Sequence, residues 1–137
     1  MHNDTGSSDL AFSGLNVGAA FGPVVYDVSE TANDRYWQGA GVEHPTREAG
    51  FLYPPMAANL TILALQSIAP TPLLHTHQRL DCHRAMRAPT ALTETGTVTG
   101  RFARRGREYL EVTADISADD TSLWTSVASF IAAGTTA

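Results

Sequence analysis

The chain has 137 residues, a net charge of −5, one cysteine and nine basic residues, all of them arginine. That length sets one domain as the expectation and is enough for a packed core without metal or disulfide. The acidic balance and the lack of a dense basic stripe speak against nucleic acid as a partner, and a lone Cys82 excludes an internal disulfide and suits a reducing compartment.

The opening "MHNDTGSSD" is polar and acidic, without the basic region or apolar core of a secretion signal. Residues 1–20 read as a flexible tail. "GPVVYDVS" (22–29) reads as a first strand, rich in β-branched and aromatic residues. Ser29 then caps a short helix, "ETANDRYWQG", with Gly39 as its stop. Residues 39–55 form a loop marked by Gly, Pro and Thr. "MAANLTILALQSIA" (56–69) is a helix that starts behind Pro54 and Pro55 and ends before Pro70 and Pro72. It is apolar on nearly every side and so must be enclosed. Asn59 and Gln66 share one face of it, and an amide there needs a partner from the protein or from a ligand. The stretch is too short and too polar to span a bilayer, so a protein without membrane attachment, located in the cytoplasm, is expected.

Four strand-like stretches follow. In "LLHTHQRLDCH" a regular strand puts His75, His77, Arg79, Asp81 and His83 on one face and Cys82 on the inward one, as a small core residue. The His-x-His spacing is compatible with a metal but is common by chance, and no metal or cofactor is expected. "ALTETGTVTGRF" sets Leu92, Val98 and Phe102 against Thr93, Thr95, Thr97 and Thr99. "EYLEVTADI" turns Leu110, Val112, Ala114 and Ile116 inward. "SLWTSVASFI" closes the series. "ARRGR" and "SADDT" are hairpin turns by composition. The basic patch "RFARRGRE" reads first as a solvated turn, with an anionic coenzyme tail as the alternative guest. The aromatics Tyr36, Trp37, Trp124 and Phe130 read first as core. The order of elements is satisfied by one curved antiparallel sheet wrapped around one buried helix, an α+β hotdog arrangement over residues 21–132, with 133–137 as a tail. Its open sheet edge implies pairing into a dimer.

The stretch "LDCHRAMRAPTALTETGTVTGRFARRGREYLEVTADISADDTSLWTSVASFI" resembles the second half of MaoC-like hydratases and dehydratases. "YWQGAGVEHPTREAGFLYPPMAANL" is similar to their hydratase loop and central helix. Ala85 replaces the usual proline, and "APTAL" (88–92) replaces a Gly-Asp step. The resemblance implies an acyl thioester substrate carried on coenzyme A or a carrier protein. It also implies an Asp and a His before the central helix acting around one water. Backbone N–H groups at that helix start would polarise the thioester carbonyl.

The family's loop, approximately "GD.NP.H", falls on "GVEHPTR". Gly41 and Pro45 match. Val42 falls on the aspartate, His44 on the asparagine and Arg47 on the histidine. Valine carries no proton, and arginine is a poor base. His44 is then the candidate acid/base, with its neighbour Glu43 the weaker one, since adjacent residues of an extended loop point opposite ways. Arg47 is a candidate cation for an oxyanion or carboxylate. Tyr53, Met56, Asn59 and Trp37 are the candidates for substrate binding. The expected function is diverted chemistry on an acyl or polyketide-like intermediate: isomerisation, cyclisation or a dehydration-related step. The alternatives are a non-catalytic subunit of a heteromeric enoyl-thioester hydratase, and an ordinary (R)-specific enoyl-CoA hydratase whose loop is shifted. A homodimer is expected, with a second hotdog protein as the other possible partner.

Overall fold

The computed structural model describes residues 12, 14–41, 43–69 and 72–132. Strand β1 (Ala20–Val28) leads into α1 (Glu30–Ala40), the single-turn α2 (Pro45–Glu48) and α3 (Met56–Gln66). Strands β2 (Leu73–Cys82), β3 (Thr90–Arg104), β4 (Arg107–Ala118) and β5 (Thr121–Ala132) complete the chain. They form one sheet in the order β1-β3-β4-β5-β2, with every neighbouring pair antiparallel. The inner face of the sheet, with Leu92, Val98, Leu110, Val112, Ala114 and Ile116, buries Met56, Ala57, Leu60, Ala64 and Leu65 of α3. This is the α+β arrangement expected from the sequence.

The hairpins close as composition predicts. Arg105 and Gly106 join β3 to β4 at φ 52° and 77°, and Asp119 and Asp120 join β4 to β5 at φ 50° and 61°. Two-residue turns with left-handed backbone match the twist of the flanking strands.

Two bulges change which side chains face inward, because one extra residue flips all that follow. Between His75 and His77 the pairing of β2 with β5 slips. His75 therefore sits on the inner side, its ring 5.2 Å from Phe130, while His77, Arg79 and Asp81 pair with Ser129, Val127 and Thr125. The five polar residues expected on one face are divided, and among the described residues no group of three or more His, Cys, Asp and Glu is placed to hold a metal. A slip between Val98 and Gly100 takes Phe102 off the inner face to stack on Tyr109, ring centroids 5.2 Å apart. Arg101 takes the inner position opposite Leu110 instead.

Other expectations also change. Cys82 is exposed rather than core: it is the last residue of β2, an edge strand of the sheet. The segment before β1 is not all tail: Phe12 and Leu15 are buried in the core, and Val98 bonds both to Gly18 and to Ala19. Residues 1–11 and 133–137 lie outside the described residues. The helix α3 is not enclosed. Leu63 on α3 and Ile68 just beyond it remain 51% and 47% exposed. No helix among the described residues is long and apolar enough to cross a membrane.

Candidate functional site

Helix α1 positions the chain that enters α3. Ser29 Oγ accepts from Ala32 N at 3.0 Å, and Gly41, at φ 69°, closes the far end by donating to Gln38 O. The αL cap falls at Gly41 rather than Gly39. Four residues apart, Asn33 and Trp37 share the buried side of α1. Asn33 Nδ2 and Trp37 Nε1 both donate to Phe51 O at 2.9 Å, and Asn33 Oδ1 accepts from Tyr53 N at 3.0 Å. Trp37 is thus a structural clamp beneath the site, its ring edge-on to Tyr53 at 4.8 Å.

The loop ahead of α3 is tied down in its own way. His44 caps α2: its Nδ1 accepts from Thr46 N at 3.2 Å and lies 2.7 Å from Thr46 Oγ1. Arg47 grips Asp34 of α1 through Nε and Nη2 at 2.8 and 3.2 Å, and its Nη1 lies 3.4 Å from Glu43. The Arg47 hydrogen bond holds the Asp34 carboxyl below its ordinary range. Val42 lies outside the described residues.

A cleft of about 450 Å³ opens between α1 and the start of α3. Tyr53, Met56 and Asn59, all expected from the sequence, line it, joined by Arg35 and Tyr36. His44, Glu43, Arg47 and Trp37 are not among its lining residues. Asn59 Nδ2 donates to the Tyr36 hydroxyl at 2.8 Å, which supplies the partner this amide needs. The first N–H groups of α3 are already used: Met56, Ala57 and Ala58 donate to the carbonyls of Tyr53, Pro54 and Pro55 at 3.1, 3.0 and 3.2 Å. Bonds of this tight type satisfy donors that helix starts otherwise present to ligands. A second cleft, of about 520 Å³, lies over the outer face of the sheet, with Thr95, Thr97, Thr113 and Thr125 among its lining residues.

One group of residues escaped the sequence reading. Glu94, on the inner face of β3, is fully buried beneath α3. Thr61 Oγ1 donates to its Oε2 at 2.5 Å, and the Tyr26 hydroxyl lies 3.5 Å from its Oε1 and donates to Leu60 O at 2.9 Å. Burial pushes the Glu94 carboxyl up to about 7, against the pull of its two hydroxyl neighbours. Tyr26 is pushed up to about 12, by burial first and then by the charge of Glu94. The signal was present in strand parity. Leu92, Glu94, Gly96 and Val98 alternate on the inward side, so a regular β3 had to bury this carboxyl.

Solved structures share this architecture. The HadBC (3R)-hydroxyacyl-ACP dehydratase complex from Mycobacterium tuberculosis matches with a TM-score of 0.73 at 12% identity, over 84% of this chain and 96% of that one. The (R)-hydratase of A. caviae involved in PHA biosynthesis matches at 0.71 and 14%, over 88% and 98%. The chain has the hotdog fold of MaoC-like dehydratases and (R)-hydratases. A further hotdog match is the ChsH1–ChsH2 complex from M. tuberculosis, with a TM-score of 0.70 at 13% identity, over 85% of this chain and 98% of that one. No family model and no curated protein matches the sequence. At these identities the hotdog likeness is one of fold, and function rests on the site.

Proposed function

We propose that this hotdog protein binds an acyl or polyketide-like thioester in the cleft between α1 and α3 and directs it to isomerisation or cyclisation rather than to hydration. The supporting observation is a kept cleft beside an occupied loop. His44 spends its Nδ1 on capping α2, and Arg47 is committed to Asp34 and Glu43. Holding a flexible chain folded can itself supply a large share of a cyclisation barrier. The test follows a panel of enoyl-coenzyme A thioesters by loss of their conjugated absorbance. No hydration is expected, although the thioesters bind. Hydration that falls at least tenfold in His44→Ala would replace this reading with that of an ordinary hydratase.

A second hotdog subunit is the partner we infer. Strand β2 is exposed along nearly its whole length, and Leu74 on it is 51% exposed, as is Leu63 on α3. An unpaired edge beside exposed aliphatics calls for cover. Light scattering on the purified chain should show a homodimer. A stable monomer would favour a different hotdog chain as partner, a reading supported by the heteromeric complexes among the matches, and would make this chain a non-catalytic subunit.

A further inference from the structure

The site raises a question that the binding reading leaves open: what holds the carbonyl oxygen of the ligand? In the cleft the first three N–H groups of α3 already donate to backbone carbonyls. Neither His44 nor Arg47 lines it. The polar groups that do are Arg35, Tyr36, Tyr53 and Asn59. Of these, Tyr36 and Asn59 are joined by a 2.8 Å hydrogen bond in which the amide is the donor. Among the described residues this is the one hydrogen bond at the Tyr36 hydroxyl, and it is as an acceptor. A phenol that accepts from an amide keeps its own hydrogen to give. Its aim is fixed from both sides, because Asn59 is carried on α3 and Tyr36 on α1. Met56, Pro55 and Ala58 form an apolar wall beside this pair, against which an acyl chain can lie. The neighbouring Arg35 is exposed and makes no ion pair among the described residues, so a cation stands at the rim.

We infer that Tyr36, oriented by Asn59, is the hydrogen-bond donor to the ligand's carbonyl oxygen, and that the cleft selects β-ketoacyl thioesters in their enolate form. The inference rests on the thioester reading above and adds the substrate class. A β-keto thioester in mildly alkaline solution already contains a fraction of enolate, so selection requires no bond to break at the protein. The enolate oxygen gains more from a donor than a neutral carbonyl does, since hydrogen bonds to charged groups are the stronger class. Arg35 favours the same ion through space, weakly, because it is exposed. Isomerisation and ring closure of poly-β-keto chains both pass through such enolates. A site that stabilises them fits diverted chemistry better than one built to activate water.

The experiment uses the full chain with acetoacetyl-coenzyme A and butyryl-coenzyme A as probes. Dissociation constants are measured by calorimetry and the enolate by its absorbance at mildly alkaline pH. The wild type should bind acetoacetyl-coenzyme A about tenfold more tightly than butyryl-coenzyme A, with growth of the enolate band. Tyr36→Phe should abolish both the preference and the band, weakening acetoacetyl-coenzyme A about tenfold more than butyryl-coenzyme A, whose neutral carbonyl gains less from the lost donor. Arg35→Gln should reduce the preference about threefold. If Tyr36→Phe does not fold, Asn59→Leu, which leaves the hydroxyl undirected, carries the same expectation. Equal binding of the two probes, unchanged by either variant, overturns the inference and leaves the thioester reading standing. Binding of neither probe overturns the thioester reading and the inference with it.

Discussion

Glu94→Gln should raise the melting temperature by about 10 °C at pH 8.5 and by little at pH 5. The carboxyl is fully buried, and its partners, Thr61 and Tyr26, are hydroxyls without charge. Its folded pKa of about 7 stands above the ordinary 4.5, so between those values the folded chain holds a proton that the unfolded chain releases. Stability therefore falls as pH rises through that window and is flat above and below it. The gap between the two values corresponds to about 3 kcal/mol lost by pH 8. Glutamine keeps the acceptor for Thr61 and offers an N–H toward Tyr26 without ever ionising. Its stability should be level with pH where that of the wild type slopes. Melting curves of both proteins from pH 4.5 to 8.5 decide the matter. Parallel curves would mean that the carboxyl ionises freely and that β3 opens to water around it.

This carboxyl also shows where the sequence was readable and where it was not. Elements with their own punctuation were legible: Ser29 ahead of α1, the proline pairs around α3, the strict alternation of β4. The hairpin tips were legible because turn residues carry their own backbone preference. The bulges at Thr76 and Thr99 were not, since a threonine in a strand carries no mark of being the extra residue. They arise from register against neighbours far along the chain. Glu94 was legible by parity, but a carboxylate on an inward position runs against its desolvation cost, and the threonines that flank it dominate the polar pattern of the strand.

The site divides along similar lines. Tyr53, Met56 and Asn59 follow from being at the start of α3. Tyr36 and Arg35 do not, because α1 turns its Asn33–Trp37 side inward and leaves them on the flank, where only the position of α3 makes a cleft of them. The loop residues carried the family resemblance, yet locally "HPT" is also a helix start, with His44 as cap and Pro45 in the first turn. That local preference is the one visible in the structure.

Gly22→Ala should cost about 3 kcal/mol and lower the melting temperature by about 10 °C. Gly22 sits in the irregular stretch where β1 slips against β3, at φ 85°. A Cβ built there falls 2.4 Å from the Glu94 carbonyl oxygen and 3.2 Å from Thr95 Cα. Both obstacles are backbone in the middle of a sheet, so β1 must move rather than β3. Gly50 supplies the control. Its φ is 82°, but a Cβ there meets nothing within 4 Å, so Gly50→Ala carries the left-handed penalty alone, about 1–2 kcal/mol. The difference between the two variants isolates the close approach of the strands. If both melt alike, the approach is soft and Gly22 is kept only for its backbone. If Gly22→Ala is the worse, a second consequence follows. Tyr26 is carried on β1, and pushing that strand outward draws the hydroxyl from Glu94 and admits water beside it. A carboxyl that is better solvated ionises at lower pH. The slope of stability with pH should then be shallower in Gly22→Ala than in wild type, though no ionisable group has been changed.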